Sequence, residues 1–181
     1  MSLRGKRIAL LLDHKFEDLE GAYPKIRLEE EEATVDVVVI RHPETYSGKH
    51  GYPMKSTHSI ADVSANDYDA VISPGGFCND FLRRDERMVK FVEEMNNQNK
   101  VVAAICHGAW ILCSARKNGN EKECMLKGKK MTCFFAIKYD VLNAGAEWLD
   151  EAVVVDGNLI TSRTPDDLTP FCKAIISSLS K

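Results

Sequence analysis

The feature that most constrains this chain is a series of short, nearly continuous apolar runs set between longer amphipathic stretches. The runs Lys6 to Asp13, Thr34 to Arg41, Ala70 to Ser73, Lys100 to Cys106, Val153 to Asp156 and Asn158 to Ser162 lack polar alternation. That pattern belongs to parallel strands covered on both faces. Helical spacing marks Glu17 to Glu32, Asp85 to Gln98, His107 to Ala115, Ala136 to Asn143 and Asp166 to Leu179, and Met88, Val89, Val92 and Met95 share one side. Alternating strands and helices predict an α/β layered fold with a mostly parallel central sheet. Asp156-Gly157 predicts a hairpin turn, Pro24 a kink or a late helix start, Thr45 to Ile60 a hairpin excursion, and Arg116 to Lys130 a surface loop.

No repeat or Pro/Gly/Ser linker divides the 181 residues, so residues 1–181 are expected to form one domain. The 24 basic and 27 acidic side chains leave a formal charge of −3, which gives no field for a polyanion, so neither nucleic acid nor membrane is an expected partner. The longest unbroken apolar runs, Ile8 to Leu12 and Val101 to Cys106, are far shorter than the roughly 20 residues that span a bilayer. Asp13 and His14 interrupt the first of them, so no secretory signal is expected. The six cysteines, Cys78, Cys106, Cys113, Cys124, Cys133 and Cys172, show no C-x-x-C spacing and read as reduced thiols of a cytoplasmic protein.

In open parallel sheets, ligands bind where strands turn into helices at their carboxyl ends. Three segments share that place: Asp13 to Asp18, Ser73-Pro74-Gly75-Gly76, and Ala104-Ile105-Cys106-His107-Gly108. In the last, a nucleophilic side chain ends a buried strand and a glycine follows two residues later, the logic of a nucleophile elbow with cysteine for serine. A helix N-terminus and the adjacent His107 favour a thiolate at Cys106, and the same backbone N–H groups can hold an oxyanion. The bland alternative is a small buried cysteine and a structural histidine. Taken alone, Gly75-Gly76 reads as a tight turn, Glu17 as a first-turn acid, and Trp110 and Trp148 as packing residues. A glutamine amidotransferase reading fails because no histidine follows His107. The Cys and His spacings offer no zinc cluster, so no metal and no cofactor are expected.

Ala103-Ala104-Ile105-Cys106-His107-Gly108 resembles the ThiJ/PfpI superfamily, closest to its PfpI-type, intracellular-protease-like branch. The resemblance extends through Phe16-Glu17-Asp18, Gly48-Lys49-His50-Gly51, Pro74-Gly75-Gly76, residues 143–148, residues 153–158 and residues 161–168. It implies a flavodoxin-like, amidotransferase-like three-layer sandwich that assembles as a homodimer or higher oligomer with its active site at the interface. It also implies that Cys106 is the nucleophile, His107 the base, Glu17 the acid hydrogen-bonded to the cysteine sulfur, and Asp80 the acid that orients the neighbouring subunit's histidine. Gly75, Gly76, Gly108, His50, Phe134 and Arg163 would line the substrate and oxyanion pocket. Asp80 is shorter than the usual glutamate, Phe134-Phe135 replaces a common Tyr-Pro, and Arg116 to Glu123 has no usual counterpart. The implied activity is cysteine-dependent work on a small reactive carbonyl, as a glyoxalase or deglycase, or on a peptide as an intracellular peptidase or hydrolase, in stress defence. A non-catalytic oxidative-stress sensor or chaperone using Cys106 oxidation is the alternative.

Overall fold

The computed structural model describes residues 2–117 and 120–181, with the backbone alone at Glu121. Its strands are β1 (Arg7–Leu11), β2 (Thr34–Val39), β3 (Thr45–Ser47), β4 (Pro53–Lys55), β5 (His58–Ser59), β6 (Ala70–Ser73), β7 (Val101–Ile105), β8 (Arg116–Lys117), β9 (Asn120–Cys124), β10 (Lys130–Met131), β11 (Glu147–Trp148), β12 (Val153–Asp156) and β13 (Leu159–Ser162). Its helices are α1 (Asp18–Glu30), α2 (Cys78–Leu82), α3 (Glu86–Asn97), α4 (Ala109–Ser114), α5 (Lys138–Asn143) and α6 (Leu168–Leu179). Seven strands form the central sheet in the order β12-β13-β7-β6-β1-β2-β5, parallel except for β12. This is the layered α/β architecture that the uninterrupted apolar runs require: Ile8 to Leu12, Val37 to Val39 and Val102 to Ile105 are buried on both faces.

Local chemistry sets the helix boundaries. The α1 cap is Glu17, whose carboxylate accepts from Glu20 N at 2.9 Å, and Asp85 caps α3 by accepting from Arg87 N at 2.9 Å. Pro24 lies inside α1, which neither starts late nor stops there, because Gly21, Ala22, Pro24 and Leu28 are buried and tertiary packing holds the turn. The excursion after β2 is the β3–β4 hairpin, with Tyr46 and Met54 buried beneath it.

The stretch from Arg116 to Lys130 departs from the expected surface loop. It forms the antiparallel β8–β9 hairpin and then returns to the core at Met125 and Leu126, which are buried. Asn118 and Gly119 lie outside the described residues. The polar composition hid this return, since two apolar side chains are too few to show a period.

Candidate active site

The carboxyl ends of β1, β6 and β7 lie side by side, because β6 pairs with both neighbours in parallel register. Each strand feeds a tight turn there. After β7, Cys106 has φ +60°, a left-handed conformation that a non-glycine residue rarely holds, and a single 3₁₀ turn leads into α4. Gly108 makes this elbow possible, since a Cβ there would stand 2.2 Å from the Ser73 carbonyl oxygen. After β6, Asn79 accepts from the Ser73 hydroxyl at 2.6 Å and donates to the Pro74 carbonyl at 2.5 Å, which clamps α2 onto the glycine turn.

Gly75 is where the three elements meet. A Cβ on it would lie 2.2 Å from Glu20 Oε2, 2.6 Å from Cys106 Cβ and 3.1 Å from Cys106 Sγ. Its N–H donates to Glu20 Oε2 at 2.7 Å and its carbonyl accepts from Glu17 N at 2.9 Å. The acid beside the thiol is therefore Glu20, a first-turn residue of α1, and not Glu17 as the family pattern implied. Glu17 occupies the cap position, and its carboxylate turns back to Glu20 N and out to Lys49, 3.9 Å away.

Glu20 is fully buried, and its Oε1 has no partner meeting hydrogen-bond geometry. Burial, then the neighbouring Glu17 charge, pushes its carboxyl up to about 8, against the pull of the Gly75 N–H and a hydrogen bond shared with Cys106. The Cys106 thiol is also pushed up, by burial and then by the Glu20 charge, while the backbone N–H groups of His107 and Gly76 favour its anion. The sequence expectation of a thiol favoured as an anion thus omits desolvation, which here opposes the turn's N–H groups. The two groups titrate as a pair. Below about pH 8 Glu20 is neutral, its charge no longer opposes a thiolate, and its O–H can be donated to the sulfur.

His107 Nδ1 lies 3.3 Å from Cys106 Sγ. Its ring stacks on Phe134 with centroids 5.0 Å apart and meets Trp110 edge to face at 4.9 Å. Burial first, and Lys49 second, lower its pKa, so the neutral imidazole needed by a base prevails.

Glu17, Glu20, Lys49, Gly76, Phe77, Cys106, His107, Trp110, Phe134, Thr164 and Pro165 enclose a cleft of about 330 Å³. A larger groove of about 470 Å³ beside α3, lined by Arg83, Lys90, Glu93 and Arg116 among others, holds no thiol or histidine. The chemistry places the site in the smaller one. Gly75 and Gly108, expected in the pocket, are not among its lining residues; they serve as close-approach points of the turns, Gly75 against Glu20 and Cys106 and Gly108 against Ser73. His50 stands outside its lining, where its N–H and that of Tyr52 donate to Asp18 at 2.9 and 2.8 Å and anchor the loop that presents Lys49. Glu17, Asp18 and His50 have ligating atoms within 4.8 Å of one another, but those two N–H groups already occupy the Asp18 carboxylate. Arg163 also stands outside, its guanidinium paired with Asp167 at 2.9 Å and Asp150 at 2.8 Å, so Thr164 and Pro165 supply that wall. Asp80 pairs with Arg83 and Arg84 on and just beyond α2 and does not line the cleft.

Lys49 and Trp110 were missed as site residues. Lys49 sits inside the quoted Gly-Lys-His-Gly motif, and Trp110 falls one helical turn after His107, a spacing that places both on one face. Nothing local marked Glu20 above Glu17, except the adjacent Gly21, where a Cβ would stand 2.8 Å from the Phe16 ring.

The sequence matches the DJ-1/PfpI family over residues 6–178. YraA of Bacillus subtilis, provisionally named a cysteine protease, is 39% identical over 174 residues, covering 96% of this chain and 98% of its own. A Pyrococcus furiosus protein named deglycase PfpI is 38% identical over 173 residues, covering 96% of this chain and 99% of its own. The crystal structure of a two-domain Anabaena variabilis protein, with DJ-1/ThiJ/PfpI-like and ferritin-like domains, superposes with a TM-score of 0.90 at 42% identity. That alignment covers 97% of this chain and 48% of the Anabaena chain.

Proposed function

This chain belongs to the DJ-1/PfpI family, and from that premise we propose that it is a cofactor-independent cysteine enzyme acting on small reactive carbonyls, of glyoxalase or deglycase type. One observation carries the reading: a thiol, a neutral base 3.3 Å from it and a protonated carboxylic acid beside it converge in a cleft of about 330 Å³. That volume suits a 2-oxoaldehyde or its adduct at a side-chain tip, whereas a peptidase needs a groove for an extended chain.

The chemistry then runs as acid–base and covalent catalysis. His107 Nδ1 takes the Cys106 proton as Sγ attacks the aldehyde carbon of methylglyoxal, and the carbonyl oxygen is protonated to give a hemithioacetal. Removal of the carbon-bound proton and its return to the adjacent carbon give a thioester of lactate. Water hydrolyses the thioester, releases lactate and restores the thiol, so the sum is methylglyoxal plus water to lactate. Glu20, neutral below about pH 8, donates to the sulfur when it carries charge. Lys49 and the N–H groups of Gly76 and His107 offset negative charge in the cleft.

The working unit in this reading is a homodimer with its site at the interface. The support is a strongly exposed aromatic rim at the mouth, where Phe77 is 48% and Phe135 72% exposed. In this reading Asp80, which pairs with Arg83 and Arg84 of its own chain, faces the neighbour's His107 across that interface and acts beside the contacts His107 makes within its own chain. The free thiols agree with a reducing, cytoplasmic location, and among the described residues no helix is long and apolar enough to cross a membrane.

Lactate formation from methylglyoxal is the test, with Cys106→Ala as control and casein and short peptides beside it. Lactate from the wild type alone supports the reading. Peptide hydrolysis without lactate replaces it with a peptidase, and Cys106 oxidation by peroxide without turnover of any substrate replaces it with a sensor. For the dimer, Cys106→Ala and Asp80→Asn chains refolded together should regain part of the activity that each lacks, and no recovery in verified heterodimers removes Asp80 from the site.

A further inference from the structure

An unbroken ribbon of rings, Phe81, Phe77, Trp110, His107, Phe134 and Phe135, crosses the mouth of the cleft with successive centroids 4.6 to 6.4 Å apart. His107 is the one titratable ring in it. A base that follows its nucleophile directly in sequence needs something else to fix its ring, because the backbone that places Cys106 leaves the imidazole free to rotate about its own side-chain bonds.

We propose that Trp110 and Asp140 are positioning residues for His107, and that with Phe134 they form a clamp holding Nδ1 toward the thiol and favouring the imidazolium once the proton has moved. The inference rests on the acid–base roles given above to Cys106 and His107. Phe134 stacks on the imidazole at an interplanar angle of 30°, and Trp110 meets it at 74°. Trp110 is itself pinned: its Nε1–H donates to Asp140 Oδ2 at 2.8 Å, and the Arg83 guanidinium lies 5.0 Å from its ring centroid. The indole therefore cannot turn away without breaking a charge-assisted hydrogen bond. Four elements build the clamp, the elbow supplying His107, α4 supplying Trp110, the turn before α5 supplying Phe134, and α5 supplying Asp140.

The clamp also answers an electrostatic problem. The charged or titratable groups around His107 are Cys106 beside it, Lys49, Glu17 and Glu20 in the cleft, Asp140 behind Trp110, and Arg83 against the indole. Burial and Lys49 oppose a cationic ring, and Asp140 favours one. Aromatic rings stabilise a cation over their faces, so Phe134, stacked on the imidazole, adds to Asp140 when the proton passes from Cys106 Sγ to His107 Nδ1, while Trp110 holds the ring in place. The S–H bond breaks and the Nδ1–H bond forms as the sulfur attacks its electrophile, and the proton returns when the thiol is restored.

Alkylation of Cys106 by iodoacetamide, followed against pH with the modified residue identified by mass spectrometry, tests this without any natural substrate. Trp110→Leu is expected to slow alkylation roughly tenfold at neutral pH and to move its midpoint about one pH unit upward. Its alkaline plateau should match the wild type, because hydroxide there replaces the base. Asp140→Asn should give a smaller shift in the same direction, and Trp110→Phe, which keeps a ring but loses the N–H, should fall between Trp110→Leu and the wild type. In a His107→Ala background, Trp110→Leu should add nothing. A lowered plateau with an unmoved midpoint, or equal slowing without His107, would overturn the clamp. Should Trp110→Leu fail to fold, Asp140→Asn and Trp110→Phe decide by the same midpoint. A protein that makes no lactate yet shows these shifts keeps the clamp and loses the carbonyl reading.

Discussion

Around Arg7, on the strands β1 and β2, buried charge is matched by opposite charge, whereas at the carboxyl ends of β1, β6 and β7 two carboxyls and a thiol share one cleft with a single lysine. In the first region, Asp36 accepts from Arg7 Nε at 2.7 Å and from Tyr68 OH at 3.1 Å, and His58 approaches it at 3.5 Å. Asp69 accepts from Arg7 N at 2.9 Å and from Lys6 at 3.1 Å, while the Arg7 guanidinium lies over Tyr68. In the second, Glu20 has an unpartnered buried oxygen, Cys106 sits in a left-handed conformation, and both are pushed up by burial and by carboxylate charge. Both regions hold a buried carboxylate, Asp36 in one and Glu20 in the other, so buried polarity alone does not identify a site. The difference is satisfaction: a cluster with its charges paired contributes to one fold, and a cluster left unpaired keeps its protons available for chemistry.

The largest effect expected from this contrast is on turnover. Cys106→Ala and Cys106→Gly should both lower lactate formation by about a thousandfold or more, measured as kcat. Yet Cys106→Gly should be more stable than Cys106→Ala by about 1 kcal/mol in urea unfolding, because glycine relieves the positive φ. Equal stabilities would mean that the elbow stores no strain.

Glu20 sharpens the comparison through pH. Its folded pKa of about 8 exceeds the ordinary 4.5, so the native state holds more protons than the unfolded one between those values. Stability contributed by the protonated form is therefore full below about pH 4.5 and lost as pH rises to 8, with an upper limit of about 5 kcal/mol. Glu20→Gln lacks this slope, so its urea midpoint should gain on the wild type steadily across that window. A constant difference would show that Glu20 titrates like an exposed glutamate.

Breaking the paired cluster should do the reverse, harming the fold and sparing the chemistry. Asp36→Ala leaves Arg7 and the Tyr68 hydroxyl without their acceptor and should destabilise by about 3 kcal/mol. Cys106 alkylation, normalised to folded protein, should be unchanged. A slowed thiol in that variant would mean that the two regions communicate through β1.

The smallest effect belongs to Glu17. Glu17→Ala removes the α1 cap and should lower stability by about 1 kcal/mol in thermal unfolding. It should slow Cys106 less than Glu20→Ala does, and the opposite ranking would restore Glu17 as the acid at the sulfur.

Strand positions were readable because burial on both faces leaves little choice of residue, and β6 matches its apolar run residue for residue. The hairpin at Asp156-Gly157 and the elbow at Cys106 were readable for a similar reason, since few residue types serve such turns. The short helix α2 was not, because five residues after a glycine pair carry no period and Asn79 holds the turn through side-chain bonds to Ser73 and Pro74 that periodicity does not record. His50 and Arg163 lie in motifs that resemble the family yet serve as loop anchor and ion pair, and sequence position does not say which way a side chain points.

The amino-acid order by itself determined the layered fold, the family and the place of Cys106 at a tight turn, because each depends on local pattern: apolar runs, turn residues, and a cysteine at the end of a buried strand. The tertiary structure alone decided that Glu20 rather than Glu17 meets the thiol, that Lys49 and Trp110 join the site, and that Asp80 is held by Arg83 and Arg84. Those choices turn on directions and distances of a few ångströms between elements remote in sequence, and on the desolvation that their packing creates.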